Sequence, residues 1–194
     1  RNVYEDVIIA YASQLIGEGR AYDALKILSK YFDYPENLGI GRPSKPSFTR
    51  AYYYMALAYE ALGDYDSANE FLRRGVKDSP STFSEDYYYR ALCLRKIGNE
   101  EGALNAFKRM LDIAMDRISR KVGDDLRNYY MLGLALLGMN MKSEAKRAFR
   151  KAIFSRIPKE PRSRLGEILY SLVVLRRARW RYHEKLLCTK QYGS

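Results

Sequence analysis

Few residues of this 194-residue chain have the type and spacing that catalysis requires. The only histidine, His183, stands in Arg181-Tyr182-His183-Glu184-Lys185 and reads as a surface side chain on a polar helical turn. Cys93 and Cys188 lie far apart, in no metal-ligand or redox spacing, and neither is paired with a histidine for nucleophile activation. Gly39-x-Gly41 is followed by Arg42-Pro43 and belongs to no strand–turn–helix, so it is not a phosphate loop. Asp124-Asp125 precedes an apolar-periodic stretch and reads as helix N-terminal capping, not as an acid–base pair. No catalytic residue, cofactor-binding residue or metal ligand is expected. Catalysis in a longer protein would reside elsewhere.

Charge offers binding chemistry instead. Thirty-four Lys and Arg stand against 23 Asp and Glu, a formal charge of +11. Residues 1–97 hold 13 basic and 13 acidic side chains, residues 98–141 hold 6 and 6, and residues 142–194 hold 15 and 4. The excess is therefore a C-terminal property, carried by Lys146, Arg147, Arg150, Arg176, Arg177, Arg179, Arg181 and Lys185, with Trp180 and Tyr182 interleaved. Such a patch can hold phosphates and stack bases. It can equally meet an acidic protein or another part of the same chain, or be a solvated helix face. No nucleic-acid module signature accompanies it, so protein contact ranks above nucleic acid.

The elements that must position these residues repeat. Ala24, Ala68, Ala103 and Ala145 each follow an apolar helical stretch and a turn, at spacings of 44, 35 and 42. That is a period of about 34 with insertions. Tyr52, Met55, Ala56 and Tyr59 stand at i, i+3, i+4 and i+7, one face of a helix. Ala12, Ala56, Ala91 and Gly133 on first helices, and the four alanines above on second helices, are small enough for close approach. Gly19, Gly63 and Gly98 suit a left-handed helix cap, and Asn140 takes that place in the fourth copy. Pro80 and Pro158 end second helices. Pro35–Phe48, with three prolines and two glycines, reads as a loop. Leu111, Ala114, Ile118 and Val122 extend the second helix of the third unit by about two turns. Residues 162–188 read as a helix capping the end of the stack, with Leu165, Ile168, Leu169, Leu172 and Leu175 as its apolar stripe. No run of apolar residues is long enough to span a bilayer.

The unit resembles the tetratricopeptide repeat (TPR), a helix–turn–helix. The second copy carries Tyr52-x2-Met55-Ala56-x2-Tyr59, Gly63-Asp64-Tyr65, Ala68-x3-Leu72 and Pro80, and the fourth carries Tyr129-x2-Leu132-Gly133-x2-Leu136, Ala145-x3-Phe149 and Pro158. The third places Arg90 where the family has an apolar residue and lacks the closing proline. The first is Ile8-x2-Tyr11-Ala12-x2-Leu15, Gly19 and Ala24-x3-Leu28. The resemblance implies an all-α fold: a right-handed superhelix of four repeats (about 5–38, 49–82, 84–117 and 126–159), one domain over 1–194. It also implies a concave groove lined by the first helices. The groove positions are Arg50, Tyr53, Tyr54, Leu57 and Glu60, then Glu85, Tyr88, Tyr89, Leu92 and Arg95, then Arg127, Tyr130, Met131, Leu134 and Leu137. Tyrosine suits a binding surface because it offers large area and a polar tip at small rotamer cost. Packing competes for the same rings, since half of the runs Tyr52–Tyr54 and Tyr87–Tyr89 must face the partner helix, and the C-terminal helix can fill the groove. A clamp for a C-terminal carboxylate, which uses Lys and Asn, is not expected: Ile9, Ser13, Tyr54, Glu85 and Tyr89 occupy its positions.

A narrower resemblance rests on the loop Tyr34-Pro35-Glu36-Asn37-Leu38-Gly39-Ile40-Gly41-Arg42-Pro43, on the three Tyr-led first helices that follow it, and on Arg90. This order is similar to the C-terminal repeat region of large prokaryotic proteins with an upstream β-rich part related to sugar mutarotases and glycoside hydrolases. The linker between units three and four is shorter here. The resemblance implies an accessory helical scaffold, with carbohydrate chemistry in the upstream part. The start at Arg1-Asn2-Val3-Tyr4, without Met and inside a helical pattern, fits a piece of a longer protein. The sparse cysteines fit a reducing, cytoplasmic setting. The expected partner is a protein, a peptide or another domain of the same chain.

Overall fold

The computed structural model describes residues 3–32, 47–78, 80 and 83–155. The expected capping helix, Pro158 and most of the Pro35–Phe48 loop lie outside the described residues.

Three helix starts carry a side-chain cap. Asp64 accepts from the Ser67 amide at 3.0 Å, Asn99 from the Gly102 amide at 2.8 Å and Asp124 from the Leu126 amide at 3.1 Å. Helix ends follow from a repeated left-handed cap. Gly19, Gly63, Gly98 and Asn140 have φ of 78°, 78°, 84° and 62°. Around each, two backbone bonds close the last turn, as Gly63 N to Glu60 O at 3.1 Å and Asp64 N to Tyr59 O at 3.0 Å. A further cap of this kind, without glycine, ends the sixth helix at Lys121, φ 53°.

These signals produce eight helices among the described residues: α1 (Val3–Gly17), α2 (Ala21–Ser29), α3 (Thr49–Ala61), α4 (Tyr65–Lys77), α5 (Asp86–Lys96), α6 (Glu100–Ser119), α7 (Asp125–Gly138) and α8 (Lys142–Phe154). At 20 residues, α6 exceeds the 13 of α4 and α8 by about two turns. Each helix packs on its neighbour in sequence. The odd-numbered helices also pack on one another, α1 on α3, α3 on α5 and α5 on α7, whereas successive even-numbered helices share no contact of that extent. The first helices therefore form a close inner row and the second helices a spread outer row, an all-α helical-repeat solenoid.

Small residues set the spacing within each pair. Ala12, Ala24, Ala56, Ala91 and Ala103 are fully buried, and Ala68 and Ala145 nearly so. A Cβ on Gly133 would stand 2.5 Å from the Phe149 ring, and one on Gly138 only 2.3 Å from the Phe107 ring. Entry into α3 is fixed from α4. One Asp78 carboxylate oxygen accepts from the Phe48 amide at 2.7 Å and from the Thr49 and Ser47 hydroxyls at 2.8 and 3.0 Å, and Thr49 is wholly buried. Arg90, the departure from the repeat pattern, donates from Nε to the Val76 carbonyl at 2.9 Å. It thereby satisfies an orphan carbonyl at the end of α4, where an apolar side chain would leave it unpaired.

Candidate protein-interaction groove

The positions on α3, α5 and α7 that correspond by repeat register come together in space. The Tyr54 and Tyr89 hydroxyls, one repeat apart, lie 3.4 Å from each other, and their ring centroids are 5.8 Å apart. Tyr53 packs on Tyr89 at 5.5 Å, and Tyr88 on Phe107 at 5.6 Å. The exposure of these groups is uneven. Tyr53, Tyr54, Tyr88 and Leu134 retain only 5–8% of their surface. Leu57, Tyr89, Leu92 and Tyr130 are half-buried. Tyr52 turns away from this row and packs on Phe71 and Phe32. Burial raises the phenol pKa of Tyr54 and of Tyr89, and carries that of Tyr88 up to about 12. The ring row thus stays neutral across the physiological range, and its tips act as hydroxyl donors and acceptors.

The charged residues at groove positions are engaged with neighbouring units. Glu60 pairs with Lys96 at 2.6 Å. Arg95 pairs with Glu100 at 2.8 Å and donates to the Gly138 carbonyl at 2.8 Å. Arg127 donates to the Phe83 carbonyl at 2.8 Å, although it is exposed overall. Arg50 is the most enclosed, its side chain 11% exposed, and it meets Asp6 at 2.8 Å, Glu85 at 3.3 Å and Asp86 at 3.7 Å. Burial raises the carboxyl pKa of Asp86 and of Glu5, and the Arg50 charge offsets part of that rise. These contacts bracket successive units to one another. Asp6 and Asp86 escaped the sequence reading, yet a signal existed for Asp6. Asp6, Arg50, Glu85 and Arg127 occupy one register position, with alternating sign.

The basic residues divide. Lys146, Arg147 and Arg150 are exposed on α8, Arg147 alongside Glu144 at 3.2 Å. Arg176, Arg177, Arg179, Arg181 and Lys185 lie outside the described residues. A separate open hollow of about 480 Å³ lies between the α6–α7 turn and Ser155, lined by Lys121, Asp124, Asp125 and Tyr129, and takes in none of the groove positions. Among the described residues no helix is long and apolar enough to cross a membrane.

The fold defines the class: an all-α helical-repeat array. Two segments match tetratricopeptide repeat families, residues 50–82 one of them and residues 126–153 another. Among solved structures, a crystal structure of MamA is 21% identical over 78% of this chain and 77% of its own, with a TM-score of 0.34. A second MamA structure, MamA 41-end from Desulfovibrio magneticus RS-1, is 19% identical over 100% of this chain and 99% of its own, with a TM-score of 0.33. No curated protein sequence matches the chain.

Proposed function

We propose that this chain is a protein-binding scaffold without catalysis of its own, and that its partner, a protein, a peptide or another domain of the same polypeptide, lies along the row of first helices. One observation carries the reading: Leu57 and Leu92, equivalent positions on neighbouring first helices, stay half-buried three residues beyond Tyr54 and Tyr89, whose hydroxyls lie 3.4 Å apart. Apolar side chains of a partner would settle on the leucines, over a floor set by the paired tyrosines. The charged residues at groove positions contribute little to capture, because they already serve the joints between units. Tetratricopeptide repeats generally act as such scaffolds, which supports the reading.

The experiment follows from burial. Tyr54→Ala would open a cavity in a residue only 5% exposed, so loss of binding would not separate function from fold. Leu57→Lys with Leu92→Lys alters half-buried positions instead. The double variant is expected to keep its far-UV circular dichroism and lose partners that wild type captures in affinity purification.

The exposed Lys146, Arg147 and Arg150 on α8 favour a second contact, with an acidic protein surface or a phosphate backbone. Binding there should weaken steeply with added salt, and further when the three are changed to Gln. Salt-independent binding, or none at low salt, would dispose of it.

A further inference from the structure

The charge alternation at one register position does not stop at α7. Asp6, Arg50, Glu85 and Arg127 hold that position in the four units, and Arg50 meets Asp6 of the unit before at 2.8 Å and Glu85 of the unit after at 3.3 Å. Arg127, the next cation, is followed 33 residues on by Glu160, one residue short of the period of about 34. The same step carries Leu132-Gly133-x2-Leu136 onto Leu165-Gly166-x2-Leu169, and Ala135 onto Ile168. Ala135 and its counterparts Ala58 and Cys93 are fully buried. Cys93 shows against what: its Cβ lies 3.7 Å from where a Cβ on Gly75 of the preceding α4 would stand. On α8 the position of Gly75 is held by Ala152, which is buried.

We propose that residues 160–172 form a fifth first helix, laid on α8 in this register, with Glu160 pairing with Arg127 and Ile168 seated on Ala152. The interface continues one the chain already makes at α2–α3, α4–α5 and α6–α7. The route is short. Ser155, the C-cap of α8, lines the same hollow as Asp124 and Asp125 at the start of α7, and the five residues from there to Glu160 can span about 17 Å. Leu165, Ile168 and Leu172 give the face toward α8 an apolar stripe, and Glu160 and Pro161 suit a first helical turn. Val173 falls where Gly63, Gly98 and Asn140 turn the chain at positive φ, so the helix runs on there. On the scaffold reading, Arg164 and Glu167 then take the places of Met131 and Leu134, and the apolar floor of the inner row gives way to charge beyond α7.

Disulfide capture tests the docking without need of a partner. The register brings the Cβ positions of Gly75 and Cys93 within the range of about 3.5–4.5 Å that a disulfide requires. In a chain carrying Cys93→Ala and Cys188→Ser, Ala152→Cys with Ile168→Cys is expected to close an intramolecular disulfide under mild oxidation. Mass spectrometry after trypsin reads the closure, with far-UV circular dichroism unchanged. Ala152→Cys with Glu167→Cys should fail to close, because its side chain points roughly 100° away round the helix. Arg127→Glu should slow closure by about threefold or more, and Glu160→Arg added to it should restore the rate. A chain that does not join positions 152 and 168, or joins 152 and 167 as fast, overturns the docking. A rate indifferent to Arg127→Glu overturns the pairing with Glu160.

Discussion

Phe107→Ala is expected to cost about 3–5 kcal/mol of folding stability, and to remove most of the harm done by a second change, Gly138→Ala. Phe107 is fully buried where α5, α6 and α7 meet. Tyr88 packs on its ring at 5.6 Å, the Arg95 guanidinium stands 5.0 Å from its centroid, and the bare Gly138 backbone lies against its edge. Truncation therefore loses the transfer free energy of a whole ring and leaves a cavity at the joint between units three and four. Gly138→Ala acts from the other side. Its Cβ would stand 2.3 Å from the ring, so the joint must spread, at a cost of about 1–3 kcal/mol. With Phe107 already Ala that clash is absent, and alanine is the better helix former. Urea midpoints of the four chains check this. Strict additivity would mean that the ring and the glycine do not share the joint.

Arg50→Met carries the second large effect, and it depends on pH. Breaking a buried charged pair by removing one member costs about 3–5 kcal/mol when the remaining charges lack compensation. Here Arg50 faces Asp6, Glu85 and Asp86, with Glu5 nearby. Burial already raises the Glu5 and Asp86 pKa values in the presence of Arg50, which opposes the rise. Removing it lets them rise further. A carboxyl with a raised folded-state pKa contributes stability that is fully present below its unfolded value, about 4, and is lost as pH rises through the folded value. The variant's stability should therefore fall more steeply than wild type between about pH 4 and neutrality. The difference between them should be largest near neutral pH. Parallel pH profiles would show that these carboxylates are not ionised around Arg50 in the folded state.

Both effects arise at joints between units, and joints were the least legible part of the sequence. The period, the glycine caps and the lengthened α6 could be read because each is local: Gly63 and Gly98 mark a left-handed turn whatever surrounds them, and the apolar spacing of Leu111, Ala114 and Ile118 continues a helix. The role of Arg90 could not be read that way. Its pattern position calls for an apolar residue, and only the approach of the α4 terminus reveals the carbonyl it satisfies. The groove shows the same division. Register brought Tyr54 and Tyr89 together as the spacing implies. It did not tell that Tyr53 and Tyr88 spend their area on packing, because α3 and α5 approach too closely for four rings to face outward. Glu60 and Arg95 stand at groove positions of the repeat pattern, yet their partners stand one unit away, at Lys96 and Gly138. The alternation along Asp6, Arg50, Glu85 and Arg127 was visible in the sequence, but only to a reading that compares signs at one register across repeats.

The scaffold reading stands or falls on the first-helix row. The decisive measurement is the affinity of a partner captured by the wild-type chain for Leu57→Lys with Leu92→Lys, beside Met115→Lys as a variant exposed elsewhere. Binding weakened by about tenfold or more in the groove variant, and unchanged in the other, is the predicted result. Equal affinity for all three chains, each with native circular dichroism, would contradict it.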